Sequence, residues 1–295
     1  MNYPPIYKIT KDMFATYECG DILAAHSIVK SAIDNFPEYN SKLLFWNACL
    51  YASQGQSEKA FSVLNYALDN GIWWASEILL TEPDFLLLKD EEEFRHILSI
   101  MKNIEESDRL ESAPKISLCT NNEEKPYIIN LHWHSTNIEE YKKYFEDYCR
   151  FSQTNMCFIQ SSQKIGSHDY CWDDQQLAIL EVLEVLEEHN VEVSEFWGTS
   201  QGSIIAYQLA VRQKKKCVAM MPALNAEIIE QNSTKGLEIQ IVIGDKDPFL
   251  KDVKEFYQKI LEYGANVLFQ EIPGVGHYLP ENLEYYLNKQ NGKTT

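Results

Sequence analysis

The chain has no Cys-x-x-Cys pair. Its seven cysteines stand apart at positions 19, 49, 119, 149, 157, 171 and 217, so the paired-thiol spacing of a zinc ribbon or a dithiol redox motif is absent. An odd number of scattered cysteines is expected of separately buried thiols in a reducing compartment, not of a disulfide framework. Basic residues are also in deficit: 26 Lys and Arg stand against 44 Asp and Glu, a formal net charge of -18. Such a field repels phosphate backbones and anionic headgroups, which excludes nucleic acid and anionic membrane surfaces from the expected partners. No segment reaches the ~18 apolar residues of a membrane span. The opening run Met1-Asn2-Tyr3-Pro4-Pro5-Ile6-Tyr7-Lys8 lacks the apolar stretch of a secretory signal. The expectation is a soluble, cytoplasmic protein without a membrane span.

What the chain does have is length and apolar content. At 295 residues and 45% hydrophobic composition, it can bury a large core in one or two domains. The first hundred or so residues carry helical periodicity and no strand signal. Asp21 to Asp34 places apolar residues at helical spacing and stops before Pro37. Aligning Gly20 with Gly55, thirty-five residues apart, also aligns Ala25 with Ala60, Val29 with Leu64, Ala32 with Ala67 and Asp34 with Asp69. That offset resembles the period of tetratricopeptide helix pairs, with Ser41 to Ser53 as the first helix of the second unit and Glu77 to Ile104 as closing helices. The adjacent Trp73 and Trp74 are expected to pack at a helix junction or a domain interface.

Polar residues then take over between about Ile104 and Lys125. A helical domain over 1–110, a linker or edge strand over 111–124 (with Lys115 to Cys119 as the strand) and a second domain over 125–295 are the expected divisions. After Lys125 the rhythm changes. Strand-like runs at Tyr127–Leu131, Met156–Ile159, Val191–Trp197, Lys216–Met221, Leu237–Ile243 and Asn266–Ile272 alternate with helical ones at Trp172–His189, Gln201–Gln213, Pro248–Tyr263 and Glu281–Gln290. This alternation predicts an α/β domain with a mostly parallel sheet covered on both faces.

The chemistry gathers where those strands end. Gly198-Thr199-Ser200-Gln201-Gly202 lies between a strand and a helix, the setting of a Gly-x-Ser-x-Gly elbow. Side chains at 198 or 202 would collide across that tight junction, and Gly202, Ala206 and Ala210 form a small-residue row that lets the helix lie close to the sheet. A serine hydroxyl is a weak nucleophile and needs a histidine base with an acid to orient it. Asp247 in Gly244-Asp245-Lys246-Asp247 and His277 in Gly274-Val275-Gly276-His277 supply them in the order Ser, Asp, His, each just past a strand. Asp245 competes for the acid role but is expected to hydrogen-bond its own turn. His132-Trp133-His134 could suggest a metal pair, yet the sequence offers no nearby third ligand, and the expectation is no metal and no cofactor. His168-Asp169 reads as plain loop.

The elbow, the Gly-x-x-Asp turn, the Gly-x-Gly-His loop and Leu131-His132-Trp133-His134 together resemble the α/β-hydrolase superfamily, over roughly Lys125 to Gln290. Within it, the phospholipase/carboxylesterase and dienelactone-hydrolase-like branch is the most similar. The resemblance implies catalytic Ser200, Asp247 and His277 and oxyanion donors at the backbone N–H groups of Gln201 and His134. Relatives carry glycine where Trp133 stands, so Trp133 either lines the substrate pocket or packs structurally. The implied function is that of a serine hydrolase cleaving a carboxylic ester of a small or accessible acyl substrate, because the short interval between Met221 and Leu237 leaves no room for a large lid. A peptidase or acyl-aminoacyl hydrolase is the alternative, and a tetratricopeptide-like adaptor with an inactive hydrolase domain is the non-enzymatic one. The N-terminal helices would then offer a protein or peptide contact.

Overall fold

The computed structural model describes residues 2–230 and 233–288. Its contacts divide the chain into two compact units, a helical one of Tyr3–Ser112 with Lys164–Asp169 and a sheet-based one of the remainder.

In the helical unit, α1 (Pro5–Glu18), α2 (Ile22–Asn35), α3 (Asn40–Ser53) and α4 (Ser57–Asp69) are followed by α5 (Ser76–Thr81) and α6 (Glu92–Leu110). Pro5 starts α1 at the position where a missing N–H costs nothing, and the Asp21 carboxylate caps α2 by accepting from Ala24 N at 3.0 Å. Gly20 and Gly55 take left-handed φ values of 82° and 69° in the turns that fold α1 onto α2 and α3 onto α4. The aligned positions Ala25, Val29, Ala60, Leu64 and Ala67 are all fully buried. Trp73 and Trp74 share one core cluster with Ala60, Leu64 and Ala67, and Ala25 and Val29 lie in a second.

The polar stretch from Ile104 is helical as far as Leu110. Its charges are used internally. Buried Glu105 accepts from Ser76 N at 2.9 Å and pairs with Arg109 at 2.8 Å. Asp108 accepts from Trp73 Nε1 at 2.9 Å and from Lys164 Nζ at 2.7 Å. The six residues Lys164–Asp169 are stitched to the same unit: Ser167 N donates to Trp73 O, Ala75 N donates to Ile165 O, and Ser41 Oγ donates to the buried Asp169 carboxylate at 2.5 Å. Asp169 is therefore a structural group in a place read as plain loop.

In the other unit seven strands form one sheet: β1 (Lys115–Cys119), β2 (Tyr127–Leu131), β3 (Asn155–Gln160), β4 (Val193–Thr199), β5 (Lys216–Met220), β6 (Glu238–Gly244) and β7 (Asn266–Ile272). Their order is β1-β3-β2-β4-β5-β6-β7, with β1 antiparallel and every other pair parallel. The helices are α7 (Ile138–Tyr141), α8 (Glu146–Ser152), α9 (Gln175–Glu188), α10 (Gly202–Gln213), α11 (Leu250–Glu262) and α12 (Leu283–Asn288). Lys289 and Gln290, expected at the end of the last helix, lie outside the described residues.

The period of two along each strand sorts the side chains. Ile129, Leu131, Cys157, Ile159, Cys217, Ala219, Ile239 and Ile241 share one core with Ala178 and Val182 of α9, Ala206 and Ala210 of α10, and Val253 and Phe256 of α11. On the opposite face Phe158 and Trp197 meet Tyr141, Phe145 and Tyr148.

The thiols also depart from expectation. Cys119 and Cys149 are joined as a disulfide, with Cα atoms 6.9 Å apart. Antiparallel pairing sets Cys119 opposite Met156 at the start of β3, close to where α8 has just ended, a proximity that sequence spacing cannot reveal. Of the remaining cysteines Cys19 is exposed and the other four are buried. Burial pushes the thiols of Cys157 and Cys217 up to about 12, so neither is a thiolate near neutral pH. Among the described residues, no helix is long and apolar enough to cross a membrane.

Candidate active site

The central strand β4 ends at Thr199, and the next residue turns left-handed: Ser200 has φ of 51°. A non-glycine residue holds such a conformation only where its surroundings over-determine it. Here they do. Ser200 N donates to Met220 O at 3.0 Å, and Ser200 O accepts from Ala223 N, Ser203 N and the buried Ser203 hydroxyl. The flanking glycines are required by space. A Cβ at Gly198 would lie 2.3 Å from Gly202 O, and one at Gly202 would lie 2.4 Å from His132 O. The second contact shows that α10 begins against the end of β2, so the elbow and the loop carrying His132–His134 are held at backbone contact.

Asp247 and His277 follow neighbouring strands, β6 and β7. After β6, Asp247 is buried; its Oδ1 accepts from Phe249 N at 2.9 Å and its Oδ2 lies 2.7 Å from His277 Nδ1. His277 Nε2 in turn lies 2.8 Å from Ser200 Oγ. Ser200, His277 and Asp247, separated in the chain by 77 and 30 residues, thus form one continuous hydrogen-bonded line. The His277 side chain is 29% exposed and that of Asp247 wholly buried, so the line runs from a shielded carboxylate to a ring that a substrate can reach. Phe249 packs against the imidazole at a centroid distance of 5.0 Å.

Spacing between the acid loop and the base loop is set by Gly244. A Cβ there would fall 2.0 Å from Val275 O, and the same carbonyl accepts from Lys246 N at 3.0 Å. Asp245, expected to serve its own turn, instead accepts from Gly274 N in the histidine loop at 2.7 Å. The two aspartates of this turn divide the work, one fixing the loop and the other the imidazole.

The remaining residues singled out in the sequence border this line. The Gln201 side chain bridges outward: its Oε1 accepts from Trp172 N at 2.8 Å and its Nε2 donates to Asp173 Oδ1 at 2.6 Å. Trp172 Nε1 donates to His132 O at 2.8 Å. Trp133 is half-buried and packs edge-on against Tyr141 and Tyr144, each at 4.9 Å. His132 and His134 do not act as a pair. His132 is buried and stacks on Trp172 at 4.6 Å, whereas His134 is exposed, with Nδ1 2.7 Å from Ser135 Oγ.

Three contributors escape sequence reasoning. Tyr141 Oη donates to Asn130 Oδ1 at 2.7 Å and lies 2.8 Å from Thr199 Oγ1, beneath the nucleophile elbow. Burial pushes its phenol far above the usual range, against the opposing hydrogen bond with Thr199, so it stays neutral. Trp172 and Asp173 fall in a run read as the start of a helix. That helix begins later, at Gln175, where the Asp174 carboxylate caps it by accepting from Leu177 N; an Asp before an apolar run was the available signal.

A mostly parallel seven-stranded sheet carrying a left-handed serine elbow after its central strand defines the class: this is an α/β-hydrolase fold. A family model described as "A/B hydrolase-like, N-terminal domain" matches residues 7–109. Among solved structures it is similar to an uncharacterized protein from Bacillus cereus ATCC 10987, at 19% identity over 96% of each chain with a TM-score of 0.50. It is similar over less of its length to a Bacillus cereus carboxylesterase (15% identity, 62% of this chain and 98% of that one, TM-score 0.48). The corresponding figures for a Paleococcus ferrophilus monoacylglycerol lipase are 11% identity, 60% and 96%, and 0.46. No curated protein matches the chain in sequence.

Proposed function

We propose that this protein is a serine hydrolase that cleaves a carboxylic ester of a small or accessible acyl substrate through an acyl-enzyme. The hydrogen-bonded line from Asp247 through His277 to Ser200 carries the reading. His277 Nε2 takes the Ser200 proton as Oγ attacks the acyl carbon, and Asp247 holds the ring and balances the imidazolium that forms. The carbonyl oxygen becomes an oxyanion facing the backbone N–H groups of Gln201 and His134. Collapse breaks the ester C–O bond, the leaving alkoxide takes the proton from His277, and water repeats the sequence to free the acid and restore Ser200.

Two observations support the oxyanion assignment. No backbone carbonyl among the described residues accepts from the Gln201 N–H, which leaves that donor for a ligand. The contact of Gly202 with the carbonyls of Leu131 and His132 keeps the second loop beside the first. An accessible substrate is favoured by the connection from β5 to β6, where the described residues form only a short 3-10 turn at Ala226–Ile228.

The deciding experiment is hydrolysis of a short-chain p-nitrophenyl ester by Ser200→Ala. Turnover falls by about 10³–10⁶-fold with the circular dichroism spectrum unchanged. Undiminished hydrolysis overturns the reading.

A further inference from the structure

We propose that His134, Cys171 and Asp173 form a binding site for a thiophilic divalent cation, zinc being the best match. One ligand atom from each of the three lies within 4.8 Å of the other two. Tetrahedral zinc with nitrogen, sulfur and oxygen donors sets its ligands about 3.3–3.8 Å apart. The closure required is therefore at most about 1.5 Å, within rotamer adjustment of His134 and Asp173, which are exposed, whereas Cys171 is buried.

The surroundings hold these groups as metal sites hold theirs. The loop bearing His134 is tied to the segment bearing Cys171 by two main-chain bonds, Ser135 N to Tyr170 O at 3.0 Å and Tyr170 N to Thr136 O at 2.9 Å. Ser135, next to His134, has a left-handed φ of 60°. The Cys171 backbone is fixed on both sides, its N–H donating to Gln163 O at 3.0 Å and its carbonyl accepting from the Ser161 hydroxyl. Cys171 Sγ lies 3.6 Å from Gln163 O, a contact it gives up when it binds as thiolate. Hydrogen bonds hold both rim side chains: Ser135 Oγ sits 2.7 Å from His134 Nδ1, and Gln201 Nε2 donates to Asp173 Oδ1 at 2.6 Å. Outer partners of this kind orient metal-ligating imidazoles and carboxylates.

The donor set selects the cation. A thiolate disfavours magnesium and calcium, which want oxygen alone, and a mixed nitrogen, sulfur and oxygen set with an open fourth position suits zinc. Binding replaces the thiol proton by the metal and releases it to solvent. A chain of formal charge -18 also draws cations to its surface. No spacing rule finds this trio, because the histidine paired with His134 in sequence, His132, stacks on Trp172 instead. His134 is also the residue given an oxyanion role above, so cation binding couples to hydrolysis only if that reading holds. Binding itself does not depend on it, and the test reads no turnover.

The experiment is titration of the full chain, stripped with a chelator, with Co²⁺ as a spectroscopic stand-in and then Zn²⁺ as competitor. One equivalent of Co²⁺ produces a near-ultraviolet thiolate charge-transfer band that Zn²⁺ abolishes. Cys171→Ser loses the band. Because Cys171 is buried, His134→Ala and Asp173→Asn, at the exposed rim, provide independent variants; each weakens binding by at least about tenfold while the circular dichroism spectrum is kept. Absence of the band in the wild-type chain overturns the proposal, and so does a band that persists in Cys171→Ser or affinity unaltered in both rim variants.

Discussion

Two histidines, one in each unit, show how differently the same side chain is used. His26 of α2 is buried at 6% exposure, its Nε2 2.7 Å from Asn47 Oδ1 and its ring edge-on to Tyr51 at 4.2 Å. Burial holds its pKa below the usual imidazole value, against the Asn47 hydrogen bond and aided by the charges of Lys30 and Lys59. It is a neutral strut between helices. His277 sits on a loop past β7, backed by a carboxylate on one nitrogen and facing a hydroxyl with the other. The glycines divide in the same way. In the helical unit Gly20 and Gly55 supply turns and would meet nothing if they gained a Cβ, whereas Gly198, Gly202 and Gly244 are places where two backbones touch. Identical residue types thus meet different demands in the two units.

The strongest test of that contrast is an exchange of phenotypes. His277→Ala lowers kcat/KM for the ester substrate by about 10³–10⁶-fold with the folded circular dichroism spectrum retained. His26→Ala does the reverse, leaving kcat/KM unchanged and costing about 2–4 kcal/mol in urea unfolding, through lost packing and the stranded Asn47. Comparable loss of turnover in both variants breaks the comparison.

Next in size is Gly244→Ala against Gly55→Ala. The first pushes the acid and base loops apart and costs about 10²-fold in kcat/KM. The second strains a turn by about 1 kcal/mol with no kinetic effect. Equal kinetics in the two would show that Gly244 is only a turn.

The smallest effect is in pH. The folded pKa of His26 lies below its ordinary value of 6.5, so the unfolded chain binds the proton more readily. The contribution of His26 is therefore fully present above about 6.5 and is lost as pH falls through the lower folded value. Urea midpoints of the helical unit decline across that window in the wild type and flatten in His26→Ala. A midpoint that rises on acidification there contradicts the assignment.

The sheet was legible because parallel strands buried on both faces write themselves as short apolar runs. Tyr127–Leu131 and Asn266–Ile272 fall where those runs are, and Asp247 and His277 stand on the loops that follow β6 and β7. The helix over Ile104–Leu110 was masked by charge, since Glu105 and Asp108 look solvated until Ser76, Trp73 and Lys164 are seen to bond them. Long-range pairings were invisible for the same reason. Cys119 with Cys149, Tyr141 with Thr199, and Cys171 with His134 are set by strand order and loop course, neither of which leaves a periodic trace.

The six residues Lys164–Asp169 have a consequence for inheritance. They lie in the middle of the sheet-bearing sequence, yet their partners Ser41, Trp73, Ala75 and Asp108 all belong to the helical unit. A recombination joint placed between Ser112 and Ala113 would part that hexapeptide from the groups that hold it. The two units are thus not interchangeable cassettes: a helical module brought to a new sheet must bring its hexapeptide along, and one lost by deletion leaves a scar in the gene segment that remains.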